Sequence, residues 1–338
     1  MRALITGASG AFGGNFAKYL LDQGHEVISI QHDNNPVSTA KLLGIQDKIS
    51  WATGSILDET FCKRVVASYG VNSIFHFAAL PIVQMATRST IPVFQANLMG
   101  TLNLLEAVKE NAWAGKEVRF IYIATDKVYG DAGNKPYTED TPLNALAPYD
   151  CSKACADMAV RMYAEAGFIT SALVVRPCNI IAAGDLNLGR ILPRMIIPCL
   201  RGEEPVLYKT KYLREFIDVE DASKAILKLD TCLTKNKKVF HGQAFNIGSG
   251  EQRSFDQIVE TVLQYFPKTQ IKWVEPPPLS RVEIPFQKLS TDKVHKMTKW
   301  KAEISFEVAV HNLIVWWQQV WDKLPEGLKG RKVSGWHE

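Results

Sequence analysis

Ala3-Leu4-Ile5-Thr6-Gly7-Ala8-Ser9-Gly10-Ala11-Phe12-Gly13-Gly14, running on into Asn15-Phe16-Ala17-Lys18-Tyr19-Leu20-Leu21, is the stretch that decides the fold. A short apolar run reads as a buried strand, the glycines as a tight turn, and the residues after them as a helix. Strand, glycine turn and helix in that order are the context a dinucleotide-binding fingerprint requires. Glycine lets the backbone pass close to a pyrophosphate, and the helix N-terminus offers unpaired N–H groups and the positive end of a dipole. The spacing is GxxGxxG, with Gly7, Gly10 and Gly13 at its fixed positions and Ala11 and Phe12 between them.

Outward from this turn the chain alternates strand and helix patterns, which predicts an α/β fold with a doubly wound parallel sheet. Glu26–Ile30 reads as the second strand; its end, Gln31-His32-Asp33, brings an acid two residues late for the adenosine ribose. Asp33 is the candidate ribose ligand. No Arg follows it to hold a 2′-phosphate, so NAD is expected, with NADP as the alternative. Gly54–Asp58 closes the next unit, with Ser55 and Ile56 as candidate adenine neighbours and Asp58 equally readable as a helix N-cap. Val71–Ala79 is the fourth strand. Its small C-terminal residues, Phe77-Ala78-Ala79, would let cofactor lie against backbone, while His76 reads as a core histidine. Asn97 precedes an amphipathic helix from Leu102 to Lys109.

Val118–Ile123 reads as a strand that breaks at Ala124-Thr125-Asp126-Lys127, and a helix resumes at Tyr149-Asp150-Cys151-Ser152-Lys153. Polar residues at the C-terminal end of a parallel strand sit where such sheets place their ligands. Tyr149 and Lys153 lie on one helix face at i and i+4. A phenol titrates near pH ~10, so a neighbouring ammonium is the simplest device for making it a base near neutrality. A Tyr-x-x-x-Lys pair alone is a weak signal, and Thr-Asp-Lys alone reads as a polar turn. Both together, in this order behind a glycine turn, point to catalysis.

Beyond the strand Ser171–Pro177 the pattern changes to short helices, isolated strands and a Pro276-Pro277-Pro278 loop. Arg214–Val219 and Ala244–Gly248 read as strands returning to the first lobe. The predicted organisation is therefore a dinucleotide-binding domain over 1–175 with returning segments at about 214–248, and a smaller interleaved lobe from 176–213 and 249–330. At 338 residues two joined lobes are expected, and 46% hydrophobic and 22% charged residues are ordinary for a globular chain. A net charge of +4 with scattered cations argues against nucleic acid as a partner. No apolar run reaches the ~18 residues a membrane helix needs. The chain enters its first strand at once, leaving no room for a signal peptide. The six cysteines show no metal-ligand spacing, and reduced thiols fit a cytoplasmic location.

The N-terminal GxxGxxG, Tyr149-x-x-x-Lys153 and the Thr-Asp-Lys triplet together resemble the extended short-chain dehydrogenase/reductase family, which acts on nucleotide-linked sugars. The similarity spans nearly the whole chain. Within the family the chain is most similar to CDP-glucose 4,6-dehydratases, through His76–Val83, Ala96–Thr101, Thr125–Gly130, Pro148-Tyr149, Ser152–Asp157, Arg176–Asn179, Gly184-Asp185 and Arg190–Pro193. It departs from them at Phe12-Gly13-Gly14, where they carry a Lys, and at Arg214–Val219, which looks more like epimerases and other dehydratases.

The resemblance implies roles. Tyr149 would take the 4-hydroxyl proton, Lys153 would lower its pKa and hold the nicotinamide ribose, and Thr125 would hold the 4-oxygen. Asp126 and Lys127 would form the acid/base pair for removing water across C5 and C6. Cys178 joins the cofactor residues. Asn179, Arg190, Leu192, Arg214 and Arg281 fall in segments where the family contacts the nucleotide sugar, Arg214 and Arg281 foremost. A homodimer is expected, with the small apolar faces of the two helices after Asn97 and Tyr149 as contact. The rival readings are a 4-epimerase or 4-dehydrogenase on the same fold, and a non-catalytic dinucleotide-binding scaffold.

Overall fold

The computed structural model describes residues 1–81, 89–275 and 284–324. Its strands, in chain order, are β1 (Arg2–Thr6), β2 (Glu26–Gln31), β3 (Ser50–Thr53), β4 (Ser73–His76), β5 (Arg119–Ile123), β6 (Ala172–Pro177), β7 (Asn179–Ile181), β8 (Val206–Tyr208), β9 (Leu213–Asp218), β10 (Ala244–Ile247), β11 (Gln252–Ser254) and β12 (Lys272–Val274). Seven of them form one parallel sheet in the order β10-β6-β5-β4-β1-β2-β3. All four residues of β4 and all six of β6 are buried, as expected for parallel strands covered on both faces.

The helices that cover this sheet begin where the sequence supplies a start signal. Helix α1 (Ala11–Asp22) follows the glycine turn, and α2 (Glu59–Ser68) is capped by Asp58, which accepts from the Phe61 N–H at 2.9 Å. Asp58 is thus a cap, the blander of its two readings. Helix α3 (Gly100–Trp113) continues from a wide turn over Gln95–Met99, and α4 (Pro148–Glu165) has Pro148 in its first turn, where the ring presets the backbone and no N–H is missed. The chain winds β1 to β3 in one direction, then places β4 on the other side of β1. That switch point lies beside Gly7 and Ala78.

A second hydrophobic core gathers α5 (Ile191–Arg201), β8, Phe216, α7 (Phe255–Leu263) and α8 (Phe306–Trp321), while α6 (Val219–Lys235) buries its apolar face in the first. Leu313, Ile314 and Trp317 of α8 are buried in it, as their helical spacing predicts. Ala244–Ile247 does return to the main sheet, pairing with β6. Leu213–Asp218 does not. It forms a three-stranded sheet with β7 and β11 instead, because its alternate residues serve two environments, Glu215 facing the first lobe and Phe216 packing on Phe306 of the second.

One buried ion pair joins these pieces. Arg176, within the otherwise apolar β6, donates from Nε and Nη2 to both carboxylate oxygens of Asp157 on α4, at 2.8 and 2.9 Å, and both side chains are wholly inaccessible. Arg176 Nη1 also donates to the Tyr129 hydroxyl at 2.9 Å, and Tyr129 donates to Asn246 Oδ1 on β10 at 2.6 Å. Removing one partner of such a pair strands a charge away from water. Asp157→Ala is expected to lower unfolding free energy by about 3–5 kcal/mol, read as a fall in the denaturant midpoint with unchanged slope.

Candidate functional site

The glycine turn is built for an anion. Gly7 takes a positive φ of 85°, and a Cβ there would meet the Ala78 amide nitrogen at 2.9 Å. A Cβ on Gly13 would fall 2.4 Å from the Gly7 carbonyl oxygen. So β1, the β4 end and α1 approach closely only because both residues are glycine. Gly10 caps α1 without any side-chain hydrogen bond, which leaves the first-turn N–H groups directed at the cleft. These features fit a dinucleotide pyrophosphate. Phe12 packs edge-on against Phe77, and Ile56 fills the space beside Gly100, so both are wall residues. Ala11, Ser55 and Ala79 are half-buried. Asp33 is exposed and shares a small cavity with Ser9, Gln31, Asn34, Asn35, Ser38 and Lys41 at the end of β2, where a ribose would lie.

Beneath this turn runs a buried polar relay. The Thr101 hydroxyl donates to the Asn97 carbonyl at 2.7 Å, so His76 Nε2, 2.9 Å from that hydroxyl, is the donor. His76 Nδ1 then accepts from Thr6 at 2.6 Å, and Thr6 Oγ1 accepts the Ala78 N–H at 3.1 Å. Burial, helped by the Lys153 charge, holds His76 down to about 3, a neutral core histidine as its strand position suggested. Asn97 carries the relay on. Its Nδ2 donates to Ser152 Oγ at 2.9 Å, its Oδ1 accepts from Leu80 N at 2.8 Å, and Ser152 donates to the Tyr149 carbonyl at 2.7 Å. Asn97 therefore ties the β4 end to the first turn of α4.

Tyr149 and Lys153 stand on that helix beside the turn Asp126–Tyr129, which Thr125 caps. Thr125 Oγ1 accepts from Lys127 N at 3.4 Å and donates to Asp126 Oδ1 at 3.1 Å. Asp126 is 2% exposed, and burial raises its carboxyl above the usual range, with the Lys127 charge and the Thr125 hydroxyl opposing. Lys127 itself is half-buried. Lys153 donates from Nζ to the Ile123 carbonyl at 2.6 Å and lies 4.4 Å over the Tyr122 ring. Burial pushes its ammonium down to about 7. The expectation that Lys153 holds the Tyr149 phenol partly ionised is not what this arrangement gives. Burial raises Tyr149 well above its ordinary value, Asp150 and Asp126 add to that, and the opposing cation is Arg190.

The second-lobe candidates divide. Arg190 precedes α5 and is paired with Asp185 at 2.8 Å while facing Tyr149. Asn179 Nδ2 donates to the Glu215 carbonyl at 2.9 Å, binding β7 to β9. Leu192 is 4% exposed and belongs to the second core, so its side chain is a packing group. Arg214 donates to Ile284 O at 2.7 Å, stacks 4.9 Å over Tyr212, and its charge reaches Asp126. Cys178 is buried, with burial and the Glu215 carboxyl raising its thiol. Arg281 lies outside the described residues.

Two residues beside the site were not anticipated. Glu215 is wholly buried. It accepts from Gly250 N and Leu289 N at 2.7 Å each, and burial pushes it up to about 7. Gln287, 1% exposed, donates from Nε2 to Asp126 Oδ2 at 3.2 Å. Glu215 stands between Arg214 and the apolar pair Phe216-Ile217, in a strand pattern that could have flagged a buried acid; nothing in the loop around Gln287 marked it. No cluster of metal-ligand side chains and no helix long and apolar enough to cross a membrane occurs among the described residues.

A glycine turn at a sheet switch point, with Tyr, Lys and Thr converging on the strand ends beside it, defines a dinucleotide-binding α/β protein of the short-chain type. Residues 3–248 match the model of the NAD dependent epimerase/dehydratase family. The chain belongs to that family, and NAD is the cofactor its glycine turn is shaped for. It is 32% identical over 281 residues to the low-salt glycan biosynthesis protein Agl12 of Haloferax volcanii, covering 81% of this chain and 86% of that one. It is 30% identical over 275 residues to a dTDP-glucose 4,6-dehydratase of Xanthomonas campestris pv. campestris, covering 77% and 74%. The solved dTDP-glucose 4,6-dehydratase of Bacillus anthracis, in complex with NAD, superposes with a TM-score of 0.82 at 25% identity over 97% of this chain and 99% of that one.

The buried lysine has a measurable signature. Its folded value of about 7 lies below the ordinary 10.5. Between those two values the unfolded chain binds the extra proton, so this group makes stability rise with pH; below about 7 its burial cost is fully present. Lys153→Met should therefore unfold at higher denaturant than the cofactor-free wild type near pH 7. The gap should shrink as the pH is raised towards ~10.

Proposed function

We propose that the protein is an NAD-dependent nucleotide-sugar 4,6-dehydratase, which converts an NDP-hexose to an NDP-4-keto-6-deoxyhexose. The observation that carries this reading is the buried Asp126, its carboxyl raised by desolvation, one residue from Lys127 and facing Tyr149. Oxidation at C4 needs only Tyr149, Lys153 and Thr125. An acid beside a cation at the same strand end has no task in that step, and has one in removing water across C5 and C6.

NAD, when bound, supplies the hydride acceptor for C4 and the donor for C6, so it is recycled. Gly7, Gly10, Ala11, Phe12 and Gly13 would hold its pyrophosphate, Asp33 its adenosine ribose, and Lys153 its nicotinamide ribose. The Tyr149 oxygen takes the 4-hydroxyl proton while Thr125 holds the forming carbonyl oxygen. The C4 ketone makes the C5 proton acidic. Lys127 is assigned the removal of that proton, the C5–C6 double bond forms, and Asp126 gives its proton to the 6-hydroxyl, which leaves as water. The C6 position then receives hydride and C5 regains a proton. The nucleotide diphosphate is assigned to Arg214 and Arg190, with Asn179 and, outside the described residues, Arg281 as the further polar groups the resemblance points to. Lys127 following the Asp is the feature in common with CDP-glucose enzymes, which makes CDP-glucose the first substrate to try.

The protein is further proposed to act as a homodimer. Met99, Trp113, Met158 and Met162 stay exposed on α3, α4 and the turn before α3, a face suited to the same helices of a second copy.

Incubation with CDP-, dTDP- and UDP-glucose tests the reading by mass spectrometry. A product lighter by one water, without accumulated free NADH, is expected for at least one of them. A product of unchanged mass but inverted C4 would make the protein an epimerase, and no conversion of any would leave a binding scaffold. Tyr149→Phe should lower turnover by about 10²–10⁴-fold. Asp126→Asn should keep C4 oxidation and lose the release of water.

A further inference from the structure

Gln287 reaches the reaction centre from outside the first lobe. It follows the bridge at which Phe286 meets Leu213, its N–H donates to the Leu213 carbonyl at 3.3 Å, and its carbonyl accepts from Gln252 Nε2 at 3.0 Å. The backbone is thus fixed on both sides, and the side chain is directed inward onto Asp126 at 3.2 Å. The other half of the carboxamide is unspent: Oε1 is buried and finds no hydrogen-bond partner among the described residues. A buried orphaned acceptor is costly, and a native structure that keeps one calls for a reason. Asp126 is the neighbour that changes its need, an acceptor when ionised and a donor when protonated. A carboxamide answers both, donating from nitrogen to the carboxylate or, turned about its last bond, accepting the acid proton on oxygen.

We propose that Gln287 is a positioning residue for the elimination step, holding Asp126 in place through both of its protonation states. This rests on the dehydratase reading above. In the turnover Asp126 loses its proton to the departing 6-hydroxyl and must regain one before the next elimination; Gln287 keeps the carboxyl in the same orientation through that cycle. It takes no part in C4 oxidation. The charged and titratable groups that face Asp126 are Lys127 on its own turn, Arg214 and Glu215 on β9, Tyr149 on α4, Cys178 and Tyr137. Among the described residues the side chains hydrogen-bonded to the Asp126 carboxyl are Thr125, on Oδ1, and Gln287, on Oδ2; the Tyr137 hydroxyl donates to the Phe286 carbonyl instead, and Glu215 is held by two backbone N–H groups.

Gln287→Met keeps the side-chain length and removes both hydrogen-bonding atoms. With the sugar nucleotide that the wild type dehydrates, C4 oxidation is followed as transient enzyme-bound NADH, and elimination as solvent deuterium incorporated at C5 of the product. The variant should oxidise C4 at the wild-type rate and eliminate at least tenfold more slowly. An ionised Asp126 loses a donor, so the high-pH limb of the elimination, where the acid is lost, should move upward by about one to two pH units. Gln287→Glu provides an acid that both donates and accepts only when protonated, so it should recover elimination at low pH and fail at high pH. It also carries the test if the Met variant does not fold.

If the wild type dehydrates but Gln287→Met leaves the rate and pH limb of elimination unchanged, the proposal is wrong. It is equally wrong if oxidation and elimination fall together, since the residue would then serve only the fold. A wild type that dehydrates no nucleotide hexose overturns the parent reading instead.

Discussion

The Arg176–Asp157 pair is the constraint on which the arrangement of the site depends. Two opposite charges lie wholly out of water, bound through both oxygens of the carboxylate, at the junction of β6 and α4. Desolvation offsets most of their attraction, so an apolar pair of similar volume would hold the elements together about as firmly. We take its role to be register. A bidentate pair has one geometry, and α4 cannot slide or turn on β6 without breaking it. Tyr149 and Lys153 lie on that same helix, two turns and one turn before Asp157. The Tyr129 hydroxyl adds the second anchor, fixing the end of the turn that begins at Asp126. Asn246 then locks the last strand of the sheet onto it.

Within this frame burial works against charge on Lys153, Asp126 and Tyr149. Burial is the largest cause that moves Lys153 down to about 7, Asp126 upward and Tyr149 upward, each towards its neutral form. Buried groups respond strongly to any charge that enters, because little solvent remains to screen it. Lys153 illustrates the point: its hydrogen bond to the Ile123 carbonyl fixes where the nitrogen is, while its charge stays open. The relay from Thr6 through His76, Thr101, Asn97 and Ser152 is the opposite case, a chain whose members are all satisfied and whose histidine is locked neutral. It keeps the glycine turn and the start of α4 at one fixed separation.

How far the sequence could foretell this depends on how local each feature is. The glycine turn, the strand ends and the start of α4 are decided by neighbouring residues, and their reading survives intact. The i, i+4 placement of Tyr149 and Lys153 was legible; their electrostatics were not, since desolvation comes from packing and here outweighs the expected effect of one residue on the other. The same holds for Leu213–Asp218. Its apolar pattern announced a strand, but which sheet it joins depends on partners 30 or more residues away. Leu192 makes a related point: its side chain lies in the second core, and an apolar residue at a helix start serves a core as readily as a cleft. Arg176, by contrast, announced itself. An arginine inside a run of Leu and Val must find a carboxylate, and only the identity of Asp157 awaited the fold.

The two halves of the proposed reaction draw on different parts of the chain, and that division explains how a family shares one step and varies the next. Thr125, Tyr149 and Lys153 are all held by first-lobe elements, through α4, β5 and the relay beneath them. The carboxyl of Asp126, bonded by Thr125 from its own turn, is also held from the other side: Gln287 binds it and the Arg214 charge bears on it, and both come from segments beyond β7. Those segments are spaced by loops and small sheets, where substitution costs the main core little. The redox centre can thus remain fixed while the environment of the acid, and with it the fate of the C4 ketone, is altered from the second lobe.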